Sequence, residues 1–224
     1  MVAARDTSSS RARATPFATA PDEAVRRVGF GPVRFTVADT LAMIERGILR
    51  EDATVELLDG ELVYRDRFDL RGDQIVEGAQ HNYVVAALGE LKARIDTAGR
   101  HLRTQSTLVC SESHAPILDG MVLRGTLADY RERLPTAADA WCVVEVADAS
   151  YERDAGEKLR GYAEAGVQQY VIVNLRDRTA EVYTSPNPSD RTYPPPTVVT
   201  VDQALALRTG DGETFTFPLA DVLP

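Results

Sequence analysis

Apolar positions along the chain recur at two periods, one helical and one strand-like, and the changes between them mark the elements. Thr36 precedes a helical pattern from Val37 to Arg46, with Leu41, Met43 and Ile44 set to face inward and Gly47 to end it. Asp59-Gly60 separates two apolar-rich runs within residues 54–64, which predicts a β-hairpin. Residues 65–77 are polar and aperiodic, so a loop is expected there. From His81 to Ala98, Val84, Val85, Leu88, Leu91 and Ile95 form one helical stripe that Gly99 ends. Leu102–Cys110 and Ile117–Leu123 read as strands, and Leu127–Leu134 as a short helix closed by Pro135.

The second half of the chain begins with a nearly unbroken apolar run, Trp141-Cys142-Val143-Val144-Glu145-Val146-Ala147. Its length and β-branched content predict a strand buried on both faces. Ser150 is placed to cap a helix reaching about Ala165, with Glu152 and Asp154 in its first turn and Gly166 after its end. Tyr170–Leu175 is another apolar strand. Strand, helix and strand in so short a span predict a right-handed βαβ unit. Ala180–Thr184, Thr197–Val201 and Thr214–Phe217 complete the expected strands.

The chain has 224 residues, 44% of them hydrophobic and 26% charged, which suits one globular α/β domain. Residues 1–27 are rich in Ser, Ala and Arg and lack an apolar core like that of a signal peptide. They read as a disordered tail preceding a domain over 28–224. No apolar stretch approaches the ~20 residues of a membrane span. Cys110 and Cys142 both fall in strand-like runs and read as reduced core thiols, which points to a cytoplasmic protein. The net charge is −9; the tail carries five Arg against three acids, so the remainder stands at −11. Such an acidic surface leaves room for nucleic acid only at a local basic groove or a bound cation.

Against that background, three ionisable residues stand out. Glu145 lies inside the apolar run, where an unpaired charge costs several kcal/mol. Asp119 alternates with Ile117, Met121 and Leu123 on an apolar strand face, unless Leu118-Asp119-Gly120 is a loop tip. Lys158 falls beside Ala155 and Tyr162 at the edge of the stripe of its helix, turned toward the sheet unless its stem snorkels out to solvent. Two carboxylates on neighbouring strands form a hard oxygen site for Mg²⁺ or Mn²⁺, and an adjacent lysine can neutralise a phosphoryl oxygen or orient water. His81 lies on its helix stripe as a core histidine or a site residue. Glu56 and Glu61 flank the hairpin turn. His101 and His114 show no pattern that distinguishes them from surface residues.

Several of these residues belong to motifs that resemble the Uma-type family of endonuclease-like proteins. The resemblance lies in Val55-Glu56-Leu57-Leu58-Asp59-Gly60-Glu61-Leu62-Val63 and in His81-Asn82 at the start of a helix. It continues in residues 144–150, in Asp154 and Gly156-Glu157-Lys158-Leu159, and in residues 162–167 and 169–173, so that it spans roughly residues 34–220. It implies the PD-(D/E)XK restriction-endonuclease-like fold, a mixed β-sheet flanked by helices with additional β-hairpins. It also implies a metal held by Asp119 and Glu145, with Lys158 supplied by the following helix because the usual lysine position is Ala147. Glu56 and His81 would line the site. Leu118 stands where the family usually carries Pro.

The expected activity is therefore a Mg²⁺- or Mn²⁺-dependent endonuclease acting on DNA, with a homodimer as a candidate assembly and Lys92, Arg94, Arg100 and Arg103 as candidate phosphate contacts. One alternative is a catalytically inactive nuclease fold that binds DNA or a partner. Another is a purely structural ion-pair cluster, for which a divalent cation would not raise the melting temperature.

Overall fold

Eight consecutive buried residues, Ala140–Ala147, form the strand around which the molecule is organised. The computed structural model describes residues 32–50, 55–64, 67–68, 74–75, 78–97 and 99–224. The expected tail over 1–27 lies outside the described residues. Arg34–Pro224 forms one compact unit.

In chain order the elements are α1 (Val37–Glu45), β1 (Val55–Leu58), β2 (Glu61–Tyr64), β3 (Arg67–Phe68), β4 (Gln74–Ile75), α2 (Ala79–Glu90) and α3 (Lys92–Ile95). Next come β5 (Arg100–Thr107), β6 (Ile117–Arg124), β7 (Ala140–Ala147), α4 (Tyr151–Arg153), a π turn (Asp154–Lys158) and α5 (Leu159–Glu164). The last strands are β8 (Gln169–Asn174), β9 (Thr179–Thr184), β10 (Thr197–Thr200), β11 (Ala204–Arg208) and β12 (Thr214–Pro218). The main sheet has six strands in the order β10-β9-β8-β7-β6-β5. Only β7 and β8 run parallel; they are joined by the α4–α5 crossover, as a parallel pair requires. The chain is thus α/β, a mixed sheet flanked by helices with small antiparallel hairpins.

Alternation along β7 splits the core in two. Cys142, Val144 and Val146 face the α2–α3 stripe of Val84, Val85, Leu88, Leu91 and Ile95, together with Leu205, Leu207 and Phe217 from the β11–β12 hairpin. Val143 and Ala147 face the opposite way, toward Met121, Leu123, Ile172, Tyr170, Tyr162 and Val167. Glu145 shares the alternation of this second side, beneath the helical crossover. Among the described residues no helix is long and apolar enough to cross a membrane.

Several elements differ from the sequence expectation. Thr36 caps α1 through a full capping box with Asp39, but no residue of α1 is buried and Leu41 is 50% exposed, so its apolar side is not a core face. The helix expected over 81–98 starts at Ala79, breaks at Leu91 and ends at Ile95. There Asp96 turns extended and accepts the Leu102 N–H at 2.8 Å, which ties the chain into β5 instead. The helix expected over 127–134 shrinks to one 3₁₀ turn at Leu127–Tyr130, fixed by a Thr126–Asp129 capping box. Within 65–77 the described residues include the paired fragments β3 and β4. Strand β11 was not anticipated; it exists because it pairs with β12 and buries Leu205 and Leu207. Ser150 does not cap backbone: its hydroxyl donates to Asp154 Oδ2 at 2.6 Å.

Candidate active site

The Asp59-Gly60 turn closes the first hairpin with both residues at positive φ, 45° and 83°, which matches the right-handed strand twist. An isolated bridge from Leu57 to Ala115 docks β1 beside the approach to β6. Glu56, fully buried, accepts the Ile117 N–H at 3.0 Å through Oε1. β6 and β7 pair antiparallel with Gly120 opposite Val144 and Met121 opposite Val143. The ladder reaches Gly120 and Val144, so Asp119 and Glu145 are the next residues along the two neighbouring strands. Asp119 Oδ2 accepts the Val146 N–H at 2.8 Å and lies 3.1 Å from His81 Nε2, which reaches it from the first turn of α2.

The crossover supplies the remaining groups. Its π turn brings both Asp154 and Lys158 into the interior. Lys158 Nζ stands 2.8 Å from Glu56 Oε1, 3.0 Å from Glu145 Oε1 and 3.9 Å from Asp154 Oδ1. Tyr162 Oη donates to Glu145 Oε1 at 2.7 Å. Arg153 lies 3.5 Å from Glu56 Oε2. Among the described residues, the carboxylates of Glu56, Asp119, Glu145 and Asp154 are all at most 2% exposed, beside the buried ammonium of Lys158 at 3%.

Burial and the neighbouring charges show in the protonation equilibria. Burial raises the Glu145 carboxyl, to about 8, against the pull of Lys158 and with the push of Asp119, Asp154 and Glu56. Burial likewise raises Asp154, although Lys158 and the Ser150 hydroxyl oppose it. Burial alone would lower the Lys158 pKa, but the charges of Glu145, Glu56 and Asp154 outweigh it and hold the amine protonated well above its ordinary range. Glu145 and Asp154 are both raised and lie beside the same ammonium, so their titration belongs to the pair rather than to either residue. The donor set contains only hard oxygens. Among the described residues no three His, Cys, Asp or Glu side chains are grouped as a ready metal site. Asp119 and Glu145 are two carboxylates of a kind that could hold Mg²⁺ together with several waters.

Residues 38–211 match the Uma2 family, described as "Putative restriction endonuclease". The chain belongs to the Uma2 family. In fold, this family member is similar to a crystal structure described as a putative nuclease of DUF820 from Anabaena variabilis, with a TM-score of 0.61 at 11% identity. The match covers 84% of this chain and 97% of the other. No curated protein matches the sequence.

Of the residues singled out from the sequence of this Uma2 member, Asp119, Glu145, Lys158, Glu56 and His81 meet in one cluster. Lys92, Arg94, Arg100 and Arg103 do not. Lys92 bonds Asp96 and the Leu102 carbonyl, and Arg94 lies over the Phe215 ring at 4.8 Å. Arg100 pairs with Glu213, and Arg103 lies over Tyr130 at 5.5 Å. Arg100 is also opposite Arg124, at the far end of β6 from Asp119. Glu61 stays at the surface with Arg34. His101 and His114, expected at the surface, are each 2% exposed: His101 Nδ1 faces the Gly125 carbonyl, and His114 Nδ1 faces Asp59. The sequence reading missed Asp154, taken for a helix-dipole acid, and the Tyr162 hydroxyl, hidden within an apolar stripe. Their spacing to Lys158, four residues on either side, was the available signal.

Proposed function

We propose that this protein is a metal-dependent endonuclease that hydrolyses phosphodiester bonds in DNA. The observation that carries the reading is the meeting of Asp119, Glu145 and Lys158, from two neighbouring strands and the crossover helix, in one buried cluster of acids. Burial chiefly raises Glu145, with Asp119, Asp154 and Glu56 adding to it, and a divalent cation among these acids would favour their charged forms. Asp119 and Glu145 would hold Mg²⁺ or Mn²⁺, which when bound lowers the pKa of a ligated water and offsets phosphate charge.

The chain's own residues define the rest of the mechanism. Lys158 is held protonated, so it acts as a cation and donor, orienting water or a phosphoryl oxygen, and not as the base that takes the proton. Glu56 contributes by anchoring that ammonium at 2.8 Å. His81 orients Asp119 through Oδ2. These arrangements preorganise charge before substrate arrives, which is the largest usual source of electrostatic rate enhancement.

The test is plasmid nicking with Mg²⁺ or Mn²⁺, comparing wild type with Asp119→Ala, Glu145→Ala and Lys158→Ala. Metal-dependent nicking that all three variants abolish supports the reading. Equal background cleavage in every sample defeats it. A second reading, a nuclease fold that binds a partner without cutting, is favoured by the net charge of −9, which works against a polyanionic substrate. It predicts no metal-dependent turnover by wild type.

A further inference from the structure

Glu145 Oε1 accepts two hydrogen bonds, from the Lys158 ammonium at 3.0 Å and the Tyr162 hydroxyl at 2.7 Å. A carboxylate oxygen has two lone pairs, so these donors saturate it. They come from one helical face, four residues apart, and together fix the plane of the carboxylate. The Tyr162 ring has no freedom to withdraw: it is 0% exposed, 4.7 Å from the Tyr170 ring and edge-on to His114 at 6.4 Å.

We propose that Tyr162 is a positioning residue that leaves Glu145 a single oxygen for a cation and thereby favours Mg²⁺ or Mn²⁺ over Ca²⁺. The inference rests on the metal-site reading above. Ca²⁺ takes six to eight oxygens and often both oxygens of one carboxylate, whereas Mg²⁺ takes six in near-octahedral array and few carboxylates. A Glu145 free to turn both oxygens toward the ion would suit Ca²⁺. A Glu145 whose Oε1 is occupied does not. Tyr162 thus discriminates between cations without touching either one.

The test is calorimetric titration of Mn²⁺, and separately of Ca²⁺, into the full chain without DNA. Wild type is expected to bind Mn²⁺ more tightly than Ca²⁺, and Glu145→Gln to bind neither. Tyr162→Phe retains the ring and loses the hydroxyl; the ratio of Ca²⁺ to Mn²⁺ dissociation constants is expected to fall by about tenfold, in the range typical of residues that orient metal ligands. General loosening of the fold would weaken both ions alike and leave the ratio unchanged, and that result overturns the role of Tyr162. If wild type binds neither ion, or Glu145→Gln binds as wild type does, the metal site itself fails and this inference fails with it. Should Tyr162→Phe not fold, replacing Tyr162 by p-aminophenylalanine, which keeps ring and donor, carries the test. The wild-type ratio is then expected, and a narrowed ratio overturns the proposal.

Discussion

Replacing Lys158 by Met removes the ammonium that faces Glu56 at 2.8 Å, Glu145 at 3.0 Å and Asp154 at 3.9 Å, and keeps much of the side-chain volume. The three acids are at most 2% exposed, so water cannot take over the lost pairing. Breaking a buried pair by deleting one partner costs about 3–5 kcal/mol. At ~2–4 °C per kcal/mol for a domain of this size, the melting temperature should fall by roughly 6–20 °C. The loss should depend on pH. Burial already raises Glu145, to about 8, and Asp154, and without Lys158 both rise further, so in acid the carboxyls meet the deletion by binding protons. The full penalty is therefore expected near pH 9 and a much smaller one near pH 5. Thermal denaturation of wild type and Lys158→Met across that range, supported by urea unfolding, measures both values. A Lys158→Met protein that melts with wild type at pH 9 would refute the claim that this lysine balances buried carboxylates.

Between the ordinary carboxyl pKa and about 8, folded protein holds a proton at the Glu145 cluster that the unfolded chain has released, so stability should fall as pH rises through that window, by up to ~1.4 kcal/mol per pH unit; Glu145→Gln should flatten this slope in pH-dependent urea unfolding, and an unchanged slope would place the proton elsewhere. A Cβ at Gly161 would lie 2.2 Å from His114 Nε2, so Gly161→Ala should destabilise by about 1–3 kcal/mol or more; in a double-mutant cycle His114→Ala should relieve part of that cost, whereas strict additivity would show that the two do not touch. Thr36→Ala, which removes the α1 capping box, should cost about 1 kcal/mol by chemical denaturation, and no loss would mean that α1 does not contribute to the cooperative unit.

The parts of this fold that were legible in the sequence are those dictated by local chemistry. Thr36, the Asp59-Gly60 turn and the apolar run of β7 each carry their own signal, and each element forms at its expected place. The burial of Glu145 followed from its neighbours alone. Glu56 was different: its hairpin position fits a solvated carboxylate equally well, and only docking beside Ala115 and Ile117 makes it internal. The π turn at Asp154–Lys158 was invisible because it depends on what the helix packs against, and with it the burial of Asp154. β11 was missed for the same reason, since Ala204–Arg208 acquires strand character by pairing with Thr214–Pro218. His114 shows the limit most plainly. Nothing within the chain near it signals burial, yet Gly161 leaves its ring a place in the core.

The central claim, that two acids from adjacent strands share a divalent cation beside a protonated lysine, is tested most directly by anomalous diffraction from crystals soaked in Mn²⁺. The account predicts one strong anomalous peak between the Asp119 and Glu145 carboxylates, lost in Glu145→Gln crystals. A saturating soak that leaves that position without a peak, while Asp119 and Glu145 keep their present hydrogen bonds, would contradict it.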